Sequence, residues 1–127
     1  MITEDFCSFE VAKLLKEKGF DELCIFKYNS EGVRMKAGVA IDEWQNSELD
    51  DDEYSCPSQS MAMKWLREVH KIFIEVSVSI DLNGNYHYSY TVLDKECKYL
   101  RRGYTDFDWN YEDAVEAALK YALENLI

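Results

Sequence analysis

Hydrophobic and polar positions alternate along this chain in two rhythms, and the rhythm changes wherever the chain turns. Between Phe9 and Lys18, Val11, Ala12, Leu14 and Leu15 recur at helical spacing, with Ser8 placed to cap the first turn. Gly19 supplies a left-handed stop, and Phe20 falls where it folds back on Leu15, as in a Schellman ending. "ELCIFKY" is rich in strand formers, and "VRMKAGVAID" alternates with Val33, Met35, Ala37, Val39 and Ile41 on one side. The "NSEG" between them predicts a hairpin loop with Gly32 at positive φ.

The order then repeats. A second helix is predicted from Ser58, or from Cys56 with Pro57 as its first residue, with Ala62, Trp65, Leu66 and Val69 as one buried stripe. "KIFIEVSVSID" places Ile72, Ile74, Val76, Val78 and Ile80 on one side and Phe73, Glu75, Ser77, Ser79 and Asp81 on the other. "DLNG" turns the chain and "NYHYSYTVLD" returns. The length of that turn decides which faces meet, because a one-residue slip exchanges them. A two-residue Asn83-Gly84 loop sets Tyr86, Tyr88 and Tyr90 beside Asp81, Ser79 and Ser77, as an exposed aromatic platform suited to stacking on bases. A three-residue loop, Leu82 to Gly84, sets them beside Ile80, Val78 and Val76 instead. It leaves Ser77, Ser79, His87, Ser89 and Thr91 together on the solvent side, with His87 an ordinary surface residue. The longer loop separates apolar from polar on both strands at once and is the predicted one.

Asn110 caps a closing helix whose inward stripe is Tyr111, Ala114, Val115, Ala118, Leu119, Ala122 and Leu126. The summed order is α-β-β-α-β-β-α, with a short irregular or strand segment near "CKYLRRG". This predicts one α+β domain over residues 1–127, a two-layer arrangement of one antiparallel sheet of about four strands with helices on one face. An acidic connector, about residues 43–57, separates two helix–hairpin halves whose similar order suggests an internal duplication.

Charge changes the picture most. The formal net charge is −11, from 14 basic and 25 acidic residues, a surface that repels phosphate backbones and anionic lipid and attracts basic partners. Direct nucleic-acid and membrane binding are therefore not expected. Much of the acid lies in "ELDDDEYS", with Asp50, Asp51 and Asp52 at its centre. Such a run is a solvated, mobile connector, a docking loop for a basic partner, or a weak cation site. No apolar run reaches the length of a membrane span, and no basic-then-apolar leader opens the chain, so a cytoplasmic location is expected.

Chemistry is harder to find. Cys7, Cys24, Cys56 and Cys97 form no C-x-x-C pair, and with His70 and His87 they make no conventional zinc set, so no metal or cofactor is expected and the cysteines read as free thiols. Cys56 and His70 flank the second helix, about 18 Å apart at 1.5 Å per residue, too far for a thiol–imidazole dyad. Asp52 and Glu53 oppose a Cys56 thiolate, so a thiol-dependent enzyme is only a third reading. "DFDWNYE" offers oxygen ligands at alternate positions, but Tyr111 stands where a calcium loop needs glycine and Ala117 where it needs glutamate. Walker, G-x-G-x-x-G, G-x-S-x-G and H-E-x-x-H motifs are absent from the sequence. Surface recognition remains. Met63, Arg67 and His70 fall on the outward side of the second helix, while Trp44 and Trp109 stand in connectors as interface anchors or as lids on the core.

"SMAMKWLREVHKIFIEV", "YEDAVEAALKYALENLI" and "AKLLKEKGFDELC" resemble segments of small proteins of Bacteroides-type gut bacteria and their phages, a group with no assigned activity. That resemblance implies a single domain in a phage or mobile-element setting. A sheet followed by "NYEDAVEAALKYALE" is similar to HicB-type antitoxins. The leading expectation is an acidic cytoplasmic protein-binding module, monomeric or homodimeric, with a basic protein partner. The alternative is an acidic nucleic-acid mimic or antitoxin that neutralises a basic protein.

Overall fold

The structure, a computed structural model, describes all residues except 39–42 and 105–109. The chain forms two compact units, Met1–Ala62 and Met63–Ile127. The class is α+β, as expected: the described residues form three α-helices and two antiparallel sheets of three strands. The single sheet of about four strands is thus corrected to two. The reason is local. Each predicted hairpin acquires its own third strand, one from inside the acidic run and one from the "CKYLRRG" segment.

In the first unit, α1 (Phe9–Glu17) begins where predicted, with Ser8 Oγ accepting from Val11 N at 3.2 Å. It ends with Gly19 at φ 94° and Phe20 N donating to Leu15 O at 2.9 Å, which buries Phe20. β1 (Phe26–Tyr28) pairs with β2 (Arg34–Lys36) and, on its other edge, with β3 (Tyr54–Ser55), giving the order β2-β1-β3. The Phe9 ring of α1 packs on Tyr28 and Tyr54, so the helix covers that face. Met35 is in register with Lys27, whose other neighbour is Ser55, and alternation places this row on the opposite face. Met35 is accordingly exposed. Val39 and Ile41 lie outside the described residues.

α2 (Gln59–Trp65) starts under Ser58, whose Oγ accepts from Met61 N at 3.1 Å. Residues Leu66–His70 then widen into a π-helical turn, closed by Lys71 in the left-handed region at φ 56°. A wider turn advances each residue less around the axis. Val69, predicted inside, is 56% exposed, and the His70 ring turns in against Trp65 at 4.7 Å between centroids.

In the second unit β4 (Phe73–Ile80), β5 (Tyr86–Leu93) and β6 (Tyr99–Tyr104) form the sheet β4-β5-β6. The register is Val76 to Tyr90, Val78 to Tyr88 and Ile80 to Tyr86, so the three-residue loop holds. Asn110 and Asp113 form a reciprocal capping box that starts α3 (Tyr111–Asn125). α3 covers the Tyr88 face of the sheet: Tyr111 meets Tyr88 edge-on, and Tyr121 lies under the Arg101 guanidinium. The third strand joins β1, the first strand of one hairpin, but β5, the second strand of the other. The likeness between the halves therefore extends no further than helix-then-hairpin.

Three hairpin turns share one chemistry. Asn29, Asp81 and Asp94 each accept, through Oδ1, the amides two and four residues on. The fourth position of each turn is left-handed: Gly32 (φ 78°), Gly84 (φ 83°) and Cys97 (φ 61°). A β-carbon in that region costs roughly 1 kcal/mol. Cys97→Gly is therefore expected to stabilise the second unit by about 0.5–1 kcal/mol, read as a raised urea midpoint at unchanged slope. An unchanged or lowered midpoint would contradict this turn assignment.

Candidate functional site

The acidic run is folded into the first unit, and the division between units falls after Ala62 inside α2. Asn46, 5% exposed, donates Nδ2 to Phe20 O and accepts Ser55 N on Oδ1, both at 2.8 Å. One amide thus joins the end of α1 to β3. Lys16, from the last turn of α1, donates Nζ to Asp50 O (2.7 Å) and Glu53 O (2.8 Å), while Glu53 N donates to Asp50 O at 3.0 Å. The turn is closed by its own backbone and clasped by a lysine.

Its side chains divide by direction. Glu53 turns in to Lys27 at 2.6 Å, and this hydrogen bond holds its carboxyl below the ordinary carboxylate range. Lys27 Nζ also lies 4.8 Å from the Trp44 ring centroid, and Trp44 pairs its backbone with Cys24. Asp50, Asp51 and Asp52 are exposed. Trp44 and the acidic turn, separate in sequence, are therefore brought together through Lys27 and Glu53.

The thiols sit deeper. Cys56 is 1% exposed, and its Sγ donates to Cys7 O at 3.5 Å, a carbonyl that Tyr28 Oη also reaches at 2.7 Å. Burial pushes the Cys24 thiol up to about 12 and raises Tyr28 as well. Ser55 Oγ is fully buried without a standard hydrogen bond among the described residues; the Cys24 thiol is its polar neighbour. A recess of about 170 Å³ reaches Cys24 and Cys56 between Leu23, Ile25 and Met61, with Glu4 and Glu43 at its lining and no imidazole. A neutral, buried thiol beside carboxylates lacks the activation that nucleophilic cysteine chemistry uses. Among the described residues no group of His, Cys, Asp or Glu is placed to hold a metal ion.

In the second unit Arg67 is exposed, as predicted, and Met63 is half-buried. His70, predicted outward, packs on Trp65 for the reason given by the π turn. Trp109 lies outside the described residues, as does most of "DFDWNYE". The more organised feature is one that sequence reasoning passed over. On the sheet face away from α3, Ser77, Ser79, Ser89, His87 and Arg102 line a concavity of about 470 Å³. Ser77 pairs with Ser89 and Ser79 with His87, so the hydroxyls and imidazole occupy successive rungs of one face, with the Val78–Tyr88 rung between them. His87 is more than a surface residue: Nε2 lies 2.8 Å from Asp81 Oδ2.

Comparison with protein-family models, curated proteins and solved structures gives no match. Function must be argued from this chain's own residues.

Asp81 illustrates what those residues do. The His87 hydrogen bond, followed by the Asn85 and Asn83 amides, lowers its carboxyl from 3.8 to about 2. As a carboxylate it only accepts, so Nε2 carries the hydrogen of this bond. A depressed folded-state value means the turn's contribution is fully present above pH 4 and fades as pH falls through about 2. A ¹³C-carboxyl NMR titration is expected to place the Asp81 midpoint near 2; a midpoint near 4 would remove the His87 contact. Among the described residues no helix is long and apolar enough to cross a membrane.

Proposed function

We propose that this protein is a small acidic binding module of the cytoplasm that docks a basic protein segment on the Trp44–Asp52 side of its first unit. The observation that carries this reading is the chain's own Lys27, seated against the Trp44 ring and the Glu53 carboxylate. An ammonium is thereby recognised by an aromatic face and a carboxylate together, and three further carboxylates stand exposed beside it on a clasped backbone. Cation–π and charge attraction reinforce one another on such a surface, and holding the loop before contact reduces the ordering cost of binding. Four free cysteines are in keeping with a reducing compartment.

The test is binding of a short Arg/Lys-rich peptide at low salt. Asp50→Asn/Asp51→Asn/Asp52→Asn is expected to weaken it by about tenfold, and Trp44→Phe by a smaller factor. An equal change of charge elsewhere, Glu17→Gln/Glu31→Gln/Glu68→Gln, is the control. Equal losses from the two triple variants would mean that only net charge acts, and would refute the docking surface.

A further inference from the structure

The hydroxyl-lined concavity of the second unit is independent of that surface. Three observations bear on what it takes. First, the described lining gathers hydrogen-bond donors, the hydroxyls of Ser77, Ser79 and Ser89 and the Arg102 guanidinium, and among the described residues it holds no carboxylate. Second, the donors come from rigid strands at fixed spacing. Ser77 and Ser89 are directly paired, which sets their β-carbons roughly 5 Å apart, and Ser79 and His87 form the next rung that faces the same way. Third, the Asp81 carboxylate is engaged by the His87 ring and by the turn amides, so it orients the imidazole. Glu75 lies beyond Thr91 in the Arg102 row, outside the lining.

Hydroxyls on two rungs with a guanidinium beside them suit a tetrahedral oxyanion: several oxygens accept at once, and Arg102 keeps its charge at every physiological pH. A volume of about 470 Å³ is far more than a bare anion fills and lies within the range of small-molecule sites. We propose that this concavity binds the phosphate monoester of a small organic molecule, with Arg102 as the fixed cation, Ser77, Ser79 and Ser89 as hydroxyl donors, and His87 held in place by Asp81.

The experiment is an amide-resolved NMR titration of the full chain at constant ionic strength, with inorganic phosphate, a hexose phosphate, the unphosphorylated hexose and a phosphoserine peptide as probes. Saturable shifts are expected at residues 77, 79, 87, 89 and 102. The hexose phosphate should bind about tenfold more tightly than inorganic phosphate, and the neutral hexose should leave the spectrum unchanged. Arg102→Gln should weaken hexose phosphate binding by about tenfold while the dispersion of the spectrum shows the fold intact. Ser77→Ala/Ser89→Ala serves as a second variant with the same expected direction. No saturable shift, shifts scattered over the surface, or an equal response to the neutral hexose would overturn the proposal. Equal affinity for phosphate and hexose phosphate would overturn the assignment to an organic ester. Tighter binding of the phosphopeptide would replace the small molecule with a protein ligand.

Discussion

Asn46→Ala is expected to destabilise the first unit by about 3 kcal/mol, more than any surface change in the acidic run. The side chain satisfies two backbone groups at once, Phe20 O and Ser55 N, at 2.8 Å each. Alanine leaves both without their partner where Asn46 itself is 5% exposed. A buried polar group deprived of its partner costs roughly 1–3 kcal/mol, so the two together exceed the net value of an ordinary hydrogen bond several-fold. Asn46→Asp separates the two contacts: an ionised carboxylate still accepts from Ser55 N but faces the Phe20 carbonyl with no hydrogen to donate. Its loss should shrink as pH falls and the carboxyl becomes protonated. Urea denaturation across pH reads both variants. A change below about 1 kcal/mol for Asn46→Ala would mean that the acidic run is not fastened to α1.

The second large effect is expected at Gly103. It faces Tyr90 across the β5–β6 ladder, and Tyr90 lays its ring over the bare α-carbon. A β-carbon there would meet the Cε1 and Cζ atoms of that ring, and the ring, 6% exposed, has little room to move. Gly103→Ala is therefore expected to cost about 3 kcal/mol through overpacking. Truncating the ring in Gly103→Ala/Tyr90→Leu should recover part of that loss, because the two residues share one contact. Strictly additive losses would show that the ring does not lie over the glycine.

The sequence made the local devices legible. Ser8, Gly19, Ser58 and Asn110 cap or stop helices where a short polar or flexible residue precedes or follows an apolar stripe. The parity of the "DLNG" turn followed from matching two alternations, and the register confirms it. What escaped was decided by tertiary pairing. Tyr54–Ser55 is too short to alternate and is held by Lys27, Tyr28 and Asn46, residues distant in the chain. β6 carries "YLRRGY", whose arginines hide an apolar rhythm: Arg101 faces Tyr121 and Arg102 the hydroxyl concavity. The π turn that swings Val69 out and His70 in has no signature in an otherwise regular stripe.

Of the candidate contact residues, Trp44 and Asp50 to Asp52 could be named one by one, since tryptophan and clustered acid are conspicuous. Their juxtaposition could not, because it runs through Lys27 and Glu53. The polar row of Ser77, Ser79, His87 and Ser89 was visible as well. Its meaning depended on Arg102 arriving from a strand that periodicity did not define, and on Asp81 reaching back to His87.

The acidic run is part of a folded scaffold, so that Asp50, Asp51 and Asp52 are displayed from a held backbone. Native-state hydrogen exchange of the Glu53, Ser55 and Cys56 amides, which donate to Asp50 O, Asn46 Oδ1 and Phe26 O, tests this most directly. Ser55 and Cys56 are expected to exchange as slowly as the amides of α1, with Glu53 intermediate. Exchange of all three at the rate of an unstructured peptide would contradict it.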